Sequence, residues 1–158
     1  MPISSVGRHN RGVTLLEMVV VVAIIGLLVG ITFPAVATGL DTIRLSSATD
    51  SIASFLNGGL NRCERRQEVV EVSVSVRENA LWLRSSEPGF ERRLEMPEGI
   101  RIEAVHPRME PEPEARSFIL APGGAVPRFG VQLANRRGGR RIVRVDPMTG
   151  VPRVERVE

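Results

Sequence analysis

Between Glu17 and Asp41 the chain carries no charged residue, and the uninterrupted run Met18–Leu40 is apolar. As a helix, a run of this length crosses the roughly 30 Å hydrocarbon core of a bilayer. Past residue 37 the pattern changes without losing its helical period. Leu45, Ala48, Ile52, Phe55, Leu56, Leu60 and Cys63 recur at steps of three and four, which predicts one apolar stripe along an amphipathic helix. Asp41, Arg44, Ser47, Asp50, Ser51 and Ser54 take the opposite face. A single helix from Thr14 to Arg62 would be about 75 Å long at 1.5 Å per residue. Gly58-Gly59 weakens its end, and a stop is expected near Arg65.

Beyond Glu68 the period shortens to two. Val70, Val72, Val74 and Val76 alternate with polar residues, and Ala80–Arg84 reads as the hairpin partner across Arg77-Glu78-Asn79. Further strands are predicted at Phe90–Leu94, Ile100–Val105, Ser117–Leu120, Phe129–Leu133, Arg141–Val145 and Val151–Val157. Residues 107–114, Pro-Arg-Met-Glu-Pro-Glu-Pro-Glu, are expected to form an exposed extended loop, because proline supplies no ladder donor. The fold class is therefore α+β: a long N-terminal helix, transmembrane then amphipathic, packed on an antiparallel sheet domain. The expected divisions are a leader over 1–12, a membrane half of the helix over 13–36, an amphipathic half over 37–65 and a β-rich domain over 66–158.

The membrane half contains Gly26, Gly30 and Pro34 at four-residue steps. Gly26 and Gly30 could form a Gly-x-x-x-Gly dimerisation face. Pro34, however, crowds the carbonyl of Gly30 and cannot donate to it. The three together predict a helix that is soft between residues 26 and 34.

Composition narrows the function. All 21 basic residues are arginine, and the formal charge of +3 falls to +1 if Arg8 and Arg11 are lost with a leader. Net charge therefore gives no argument for nucleic acid. Cys63 is the one cysteine, so no internal disulfide can form.

The order of the N-terminal features is informative. A secretory signal places its small-residue cleavage site after the apolar region. Here Arg8, Arg11 and Gly12 all precede it, so cleavage after Gly12 would leave the anchor on the mature chain. The arginines would hold the leader on the cytoplasmic side and send the C-terminal part outward. Gly12-Val13-Thr14-Leu15-Leu16-Glu17 followed by a long apolar helix resembles the prepilin peptidase site of type IV pilins and type II secretion pseudopilins. Val13 stands where those families usually carry Phe. The resemblance implies cleavage between Gly12 and Val13 by prepilin peptidase and N-methylation of Val13. It also implies that Glu17 pairs with the N-terminal amine of a neighbouring subunit during assembly. As a bare residue, Glu17 could equally mark the membrane edge. A charge near the bilayer core is penalised by about 2.5–3.5 kcal/mol, which favours a partner.

The later strand order, with the Pro122-Gly123-Gly124 turn and Val143-Arg144-Val145-Asp146-Pro147-Met148-Thr149-Gly150, is similar to the GspH/FimT group of minor pseudopilins and pilins. That resemblance implies a structural subunit of a periplasmic pseudopilus, anchored in the bacterial inner membrane before assembly. Its implied partners are other pseudopilins or pilins through the N-terminal helix. No catalytic activity, cofactor or metal is expected. His9 falls in the leader, His106 stands alone, Cys63 reads as a buried apolar residue, and the Asp146 segment reads as a turn. Glu110, Glu112 and Glu114 alternate with prolines, which points acids apart instead of converging them on a cation.

Arg136, Arg137, Arg140 and Arg141 surround Gly138-Gly139 and could grip phosphates. Some FimT-like pilins resemble this, with a basic patch that captures DNA. No aromatic is interleaved to stack bases. A solvated turn whose arginines meet acids such as Glu155 and Glu158 carries more weight.

Overall fold

A computed structural model of the protein describes residues 13–156, without the side chains of 34–38. The expected leader 1–12, with Arg8, His9, Arg11 and Gly12, lies outside the described residues, as do Val157 and Glu158. The chain forms two compact units, Met1–Thr38 and Gly39–Glu158.

Helix α1 spans Leu15–Arg66. In the first unit its apolar segment Leu15–Phe33 has a mean hydropathy of 2.7 and no buried part. The helical assignment runs unbroken through Gly26, Gly30 and Pro34. No neighbouring side chain lies within 4 Å of where a Cβ on Gly26 or Gly30 would sit.

In the second unit the expected stripe is the buried one. Leu45, Ala48, Ile52, Leu56 and Cys63 are buried in the core, with Phe55 and Leu60 partly buried against it. Gly58-Gly59 does not end the helix. Gly59 is instead a contact point, since a Cβ there would stand 2.9 Å from Leu83 Cδ2. The helix stops one residue beyond the expected Arg65. Gln67, at φ 56°, takes the left-handed conformation that terminates helices. Beside this end, Arg62 lies 3.8 Å over the Phe90 ring and pairs with Glu68 at 3.0 Å. Glu68 also accepts a hydrogen bond from Ser85 Oγ. The Ser85 bond, with help from Arg62, holds the carboxyl below its ordinary range against the opposing effect of burial.

Eight strands follow: β1 Val70–Ser75, β2 Ala80–Ser85, β3 Glu91–Glu95, β4 Ile100–His106, β5 Ala115–Leu120, β6 Gly130–Asn135, β7 Arg140–Val145 and β8 Pro152–Arg156. They divide between two antiparallel four-stranded sheets, ordered β3-β2-β1-β5 and β4-β6-β7-β8. In β1 the alternation is realised directly: Val70, Val72 and Val74 are fully buried while Glu71 and Ser73 are half-buried. Val72 and Leu81 from the first sheet and Leu133 and Val143 from the second enter the same core as the helix stripe. Each such side chain contributes about 1.5–3 kcal/mol by leaving water. Residues 107–114 join β4 to β5 as the expected exposed loop without strand structure, but the segment bends at 107, 110, 111 and 114 and is not extended.

Candidate functional site

Glu17 lies in the first turn of α1. Its amide donates to Thr14 Oγ1 at 3.2 Å, and the Met18 amide donates to the Thr14 carbonyl at 3.2 Å. Thr14 therefore caps the helix, and Thr14-Leu15-Leu16-Glu17 has the Ser/Thr-x-x-Glu spacing of a capping box. That Thr-x-x-Glu spacing is the sequence signal of the cap. Glu17 gains a local function from it, because an acid in the first turn complements the positive end of the helix dipole. Val13, the expected new N-terminus, directly precedes the capping threonine and is exposed. The amine created by cleavage before Val13 would thus sit one residue from the cap and four from the carboxylate.

The arginine hairpin is built on Asn135. β6 ends there and β7 begins at Arg140, leaving a four-residue turn shorter than the Ala134–Arg140 connection expected. Asn135 Oδ1 accepts from the amides of Arg137 (3.1 Å) and Gly139 (2.8 Å), while the Asn135 amide donates to the Gly139 carbonyl at 2.9 Å. Gly138 adopts a φ of 83°, and a Cβ on Gly139 would stand 2.9 Å from Asn135 Nδ2. Both glycines are needed by the turn itself.

The structure separates the four guanidinium groups onto different partners. Arg136 meets Glu98 at 2.7 Å, and Arg137 meets Asp41 of the helix at 2.8 Å. Arg141 donates to Ser46 Oγ at 2.9 Å. Arg140 makes a two-pronged contact with Glu103, Nε to Oε2 at 2.8 Å and Nη2 to Oε1 at 3.0 Å. Glu103 is the extra residue of a β-bulge in β4, where the register with β6 shifts between Ile102 and Ala104. The bulge turns its carboxylate toward β6 and β7, where Gln132 Nε2 donates a further bond at 2.7 Å. Arg140 is the main cause of its carboxyl lying below the ordinary range, helped by Gln132 and opposed by burial; the same contact raises the Arg140 guanidinium. Of the acids expected opposite these arginines, Glu155 meets Arg144 at 3.1 Å, outside the turn, and Glu158 lies outside the described residues.

The hairpin thus fastens β6 and β7 to the helix and to β4. A phosphate arriving there competes with carboxylates already in place.

Other candidates resolve into structural chemistry. Asp146 Oδ1 accepts from the amides of Met148 (2.9 Å) and Thr149 (3.3 Å), which lowers its carboxyl, in a turn closed by Gly150 N to the Asp146 carbonyl at 2.7 Å. Cys63 is buried, and desolvation is the main cause of its raised thiol, which disfavours the thiolate. His106 Nε2 lies 2.7 Å from Gln132 Oε1. Among the described residues no group of three or more His, Cys, Asp or Glu is arranged to hold a metal ion.

No curated protein and no solved structure gives a significant match to the chain. Residues 7–33 match the prokaryotic N-terminal methylation motif. That motif covers the basic residues, Gly12, the capping threonine, Glu17 and the apolar helix, and it implies processing by prepilin peptidase and assembly with other pilins. Joined to an apolar helix and an α+β architecture with antiparallel sheets, it supports a type IV pilin-like protein.

Proposed function

We propose that this chain is a GspH-like minor pseudopilin of a type II secretion system, a structural subunit with no catalytic role. Cleavage after Gly12 frees Val13, which the same peptidase N-methylates. The apolar segment holds the subunit in the inner membrane with its C-terminal domain in the periplasm. Glu17 then pairs with a neighbour's N-terminal amine as the helix leaves the lipid, and stacked helices build a short pseudopilus that helps export folded proteins. Gly26, Gly30 and Pro34 soften the helix during that transfer.

The observation that carries this reading is the methylation motif over residues 7–33, which ends in an apolar helical segment, Leu15–Phe33, with no buried part. In lipid that segment is solvated by acyl chains, and in a filament it is covered by neighbouring helices.

A FimT-like minor pilin that binds DNA during transformation is the second reading, and it rests on the arginine hairpin. The pairing of Arg136, Arg137 and Arg140 with acids weighs against it, because neutralised guanidinium groups release few counterions from nucleic acid.

Co-expression of Glu17→Val with the wild-type chain and its partner pseudopilins tests the assembly step. The variant is expected to be processed and to remain in the membrane fraction while failing to enter filaments. Entry at the wild-type level would overturn the electrostatic docking of Glu17.

A further inference from the structure

An open cleft of about 990 Å³ lies at the end of the second sheet, bordered by the start of the 107–114 loop and by the β7–β8 turn. Its apolar lining includes Phe129, Val145, Pro147 and Met148. Met148 is 93% exposed, an unusual position for so large an apolar side chain. Four arginines also line the cleft. Two are occupied, Arg144 by Glu155 at 3.1 Å and Arg153 by Asp146 at 3.5 Å. The other two, Arg108 and Arg128, are exposed and have no hydrogen-bond or ion-pair partner among the described residues.

The complementary chemistry is on the same chain. Met109-Glu110-Pro111-Glu112-Pro113-Glu114 is exposed along almost its whole length. Glu114 is held by Arg77 at 3.0 Å. Glu110 and Glu112 are without partners among the described residues, and Met109 is 51% exposed. Two free carboxylates in an exposed, proline-rich segment therefore match two free guanidinium groups in a cleft with an apolar lining.

We propose that this cleft is a subunit-docking site that receives the 109–114 segment of a second copy of this chain. Glu110 and Glu112 meet Arg108 and Arg128, and Met109 with the prolines covers the apolar lining around Met148. Pro111 and Pro113 restrict the backbone of the segment before it binds, which lowers the ordering cost of docking. The match of charge sets register and partner choice. This contact is separate from any made by the apolar helix. A nucleic acid fits less well: Asp146 and Glu155 neutralise half of the arginines, Phe129 is buried and stacked on Phe118 at 4.1 Å, and the half-buried His106 ring is engaged by Gln132 at 2.7 Å, so no fully exposed ring is offered to a base.

Two differently tagged full-length chains, one carrying Glu112→Cys and the other Arg128→Cys, test the pairing when co-expressed in membranes and oxidised. A disulfide-linked heterodimer is expected in several-fold excess over a control pair of Glu87→Cys with Arg128→Cys, in which the first position is exposed but distant in sequence from the donor segment. Cys63 is buried and present equally in both pairs. A second reporter pair, Met109→Cys with Met148→Cys, should lose its cross-link when Glu110→Arg and Glu112→Arg are added to the first chain. Adding Arg108→Glu and Arg128→Glu to the second chain should restore it. Cross-linking no higher than the control, or no response to charge reversal and its rescue, overturns the proposal. So does retention of a duplex oligonucleotide that depends on Arg108 and Arg128 in chains showing no cross-link.

Discussion

Glu103 and Arg140, 37 residues apart on β4 and β7, meet across β6 in a two-pronged ion pair, Nε to Oε2 at 2.8 Å. Because a bulge turns the acid and Gln132 supports it, this contact ties three strands of the second sheet together. Replacing Glu103 by Gln should lower stability by about 1–2 kcal/mol at neutral pH, the scale of a partly screened charged hydrogen bond. The carboxyl is held below its ordinary range in the fold, so its contribution is complete above the unfolded value of about 4.3 and disappears as pH falls through the folded one. Denaturation of the wild type and Glu103→Gln should therefore differ at pH 7 and converge in strong acid.

The arginine hairpin should not retain DNA. Titration of the protein with duplex DNA at two salt concentrations should show no salt-sensitive binding that is lost on Arg136→Ala or Arg140→Ala. Loss of such binding in either variant would favour the DNA-uptake reading.

Ile52 and Ile43 lie on opposite faces of α1 in the second unit, the first fully buried and the second 65% exposed. Ile52→Ala should cost about 2–5 kcal/mol, the range for emptying a packed aliphatic site. Ile43→Ala should change stability by less than about 0.5 kcal/mol. Denaturant unfolding of the detergent-solubilised chain distinguishes the two.

Thr14→Ala should weaken the first turn of the helix by about 0.5–2 kcal/mol, whereas Thr14→Ser keeps the hydroxyl cap. Amide exchange at Glu17 measured in micelles should accelerate in the alanine variant alone. If exchange is equal in both variants, Thr14 does not cap.

Much of the fold could be read from local periodicity. The step of three and four from Leu45 to Cys63 and the alternation from Val70 to Val74 are each written within one element. The division into two sheets is not local. β1 pairs with β5 across three intervening elements, setting Val72 opposite Phe118, and nothing in either strand names the other. The strand β6, Gly130–Asn135, is buried throughout although it contains Gln132. That glutamine is buried because Glu103 and His106 meet its amide from β4, and the bulge that turns Glu103 leaves no periodic trace. The helix stop near Arg65 was legible, but the close approach of Gly59 to Leu83 was not, because it depends on a strand that comes later in the chain. Of the candidate sites, the motif around Gly12 and Glu17 was legible because order, spacing and hydropathy agree within one segment. The partners of the arginine hairpin were not, since Asp41, Glu98 and Glu103 come from three separate places in the chain.

Whether the mature subunit begins at Val13 can be weighed directly. Intact mass spectrometry of the membrane-extracted protein should give the mass of residues 13–158 plus one methyl group on the new N-terminus. A chain that still carries residues 1–12 would contradict pilin-type processing, and with it the assembly built on Glu17.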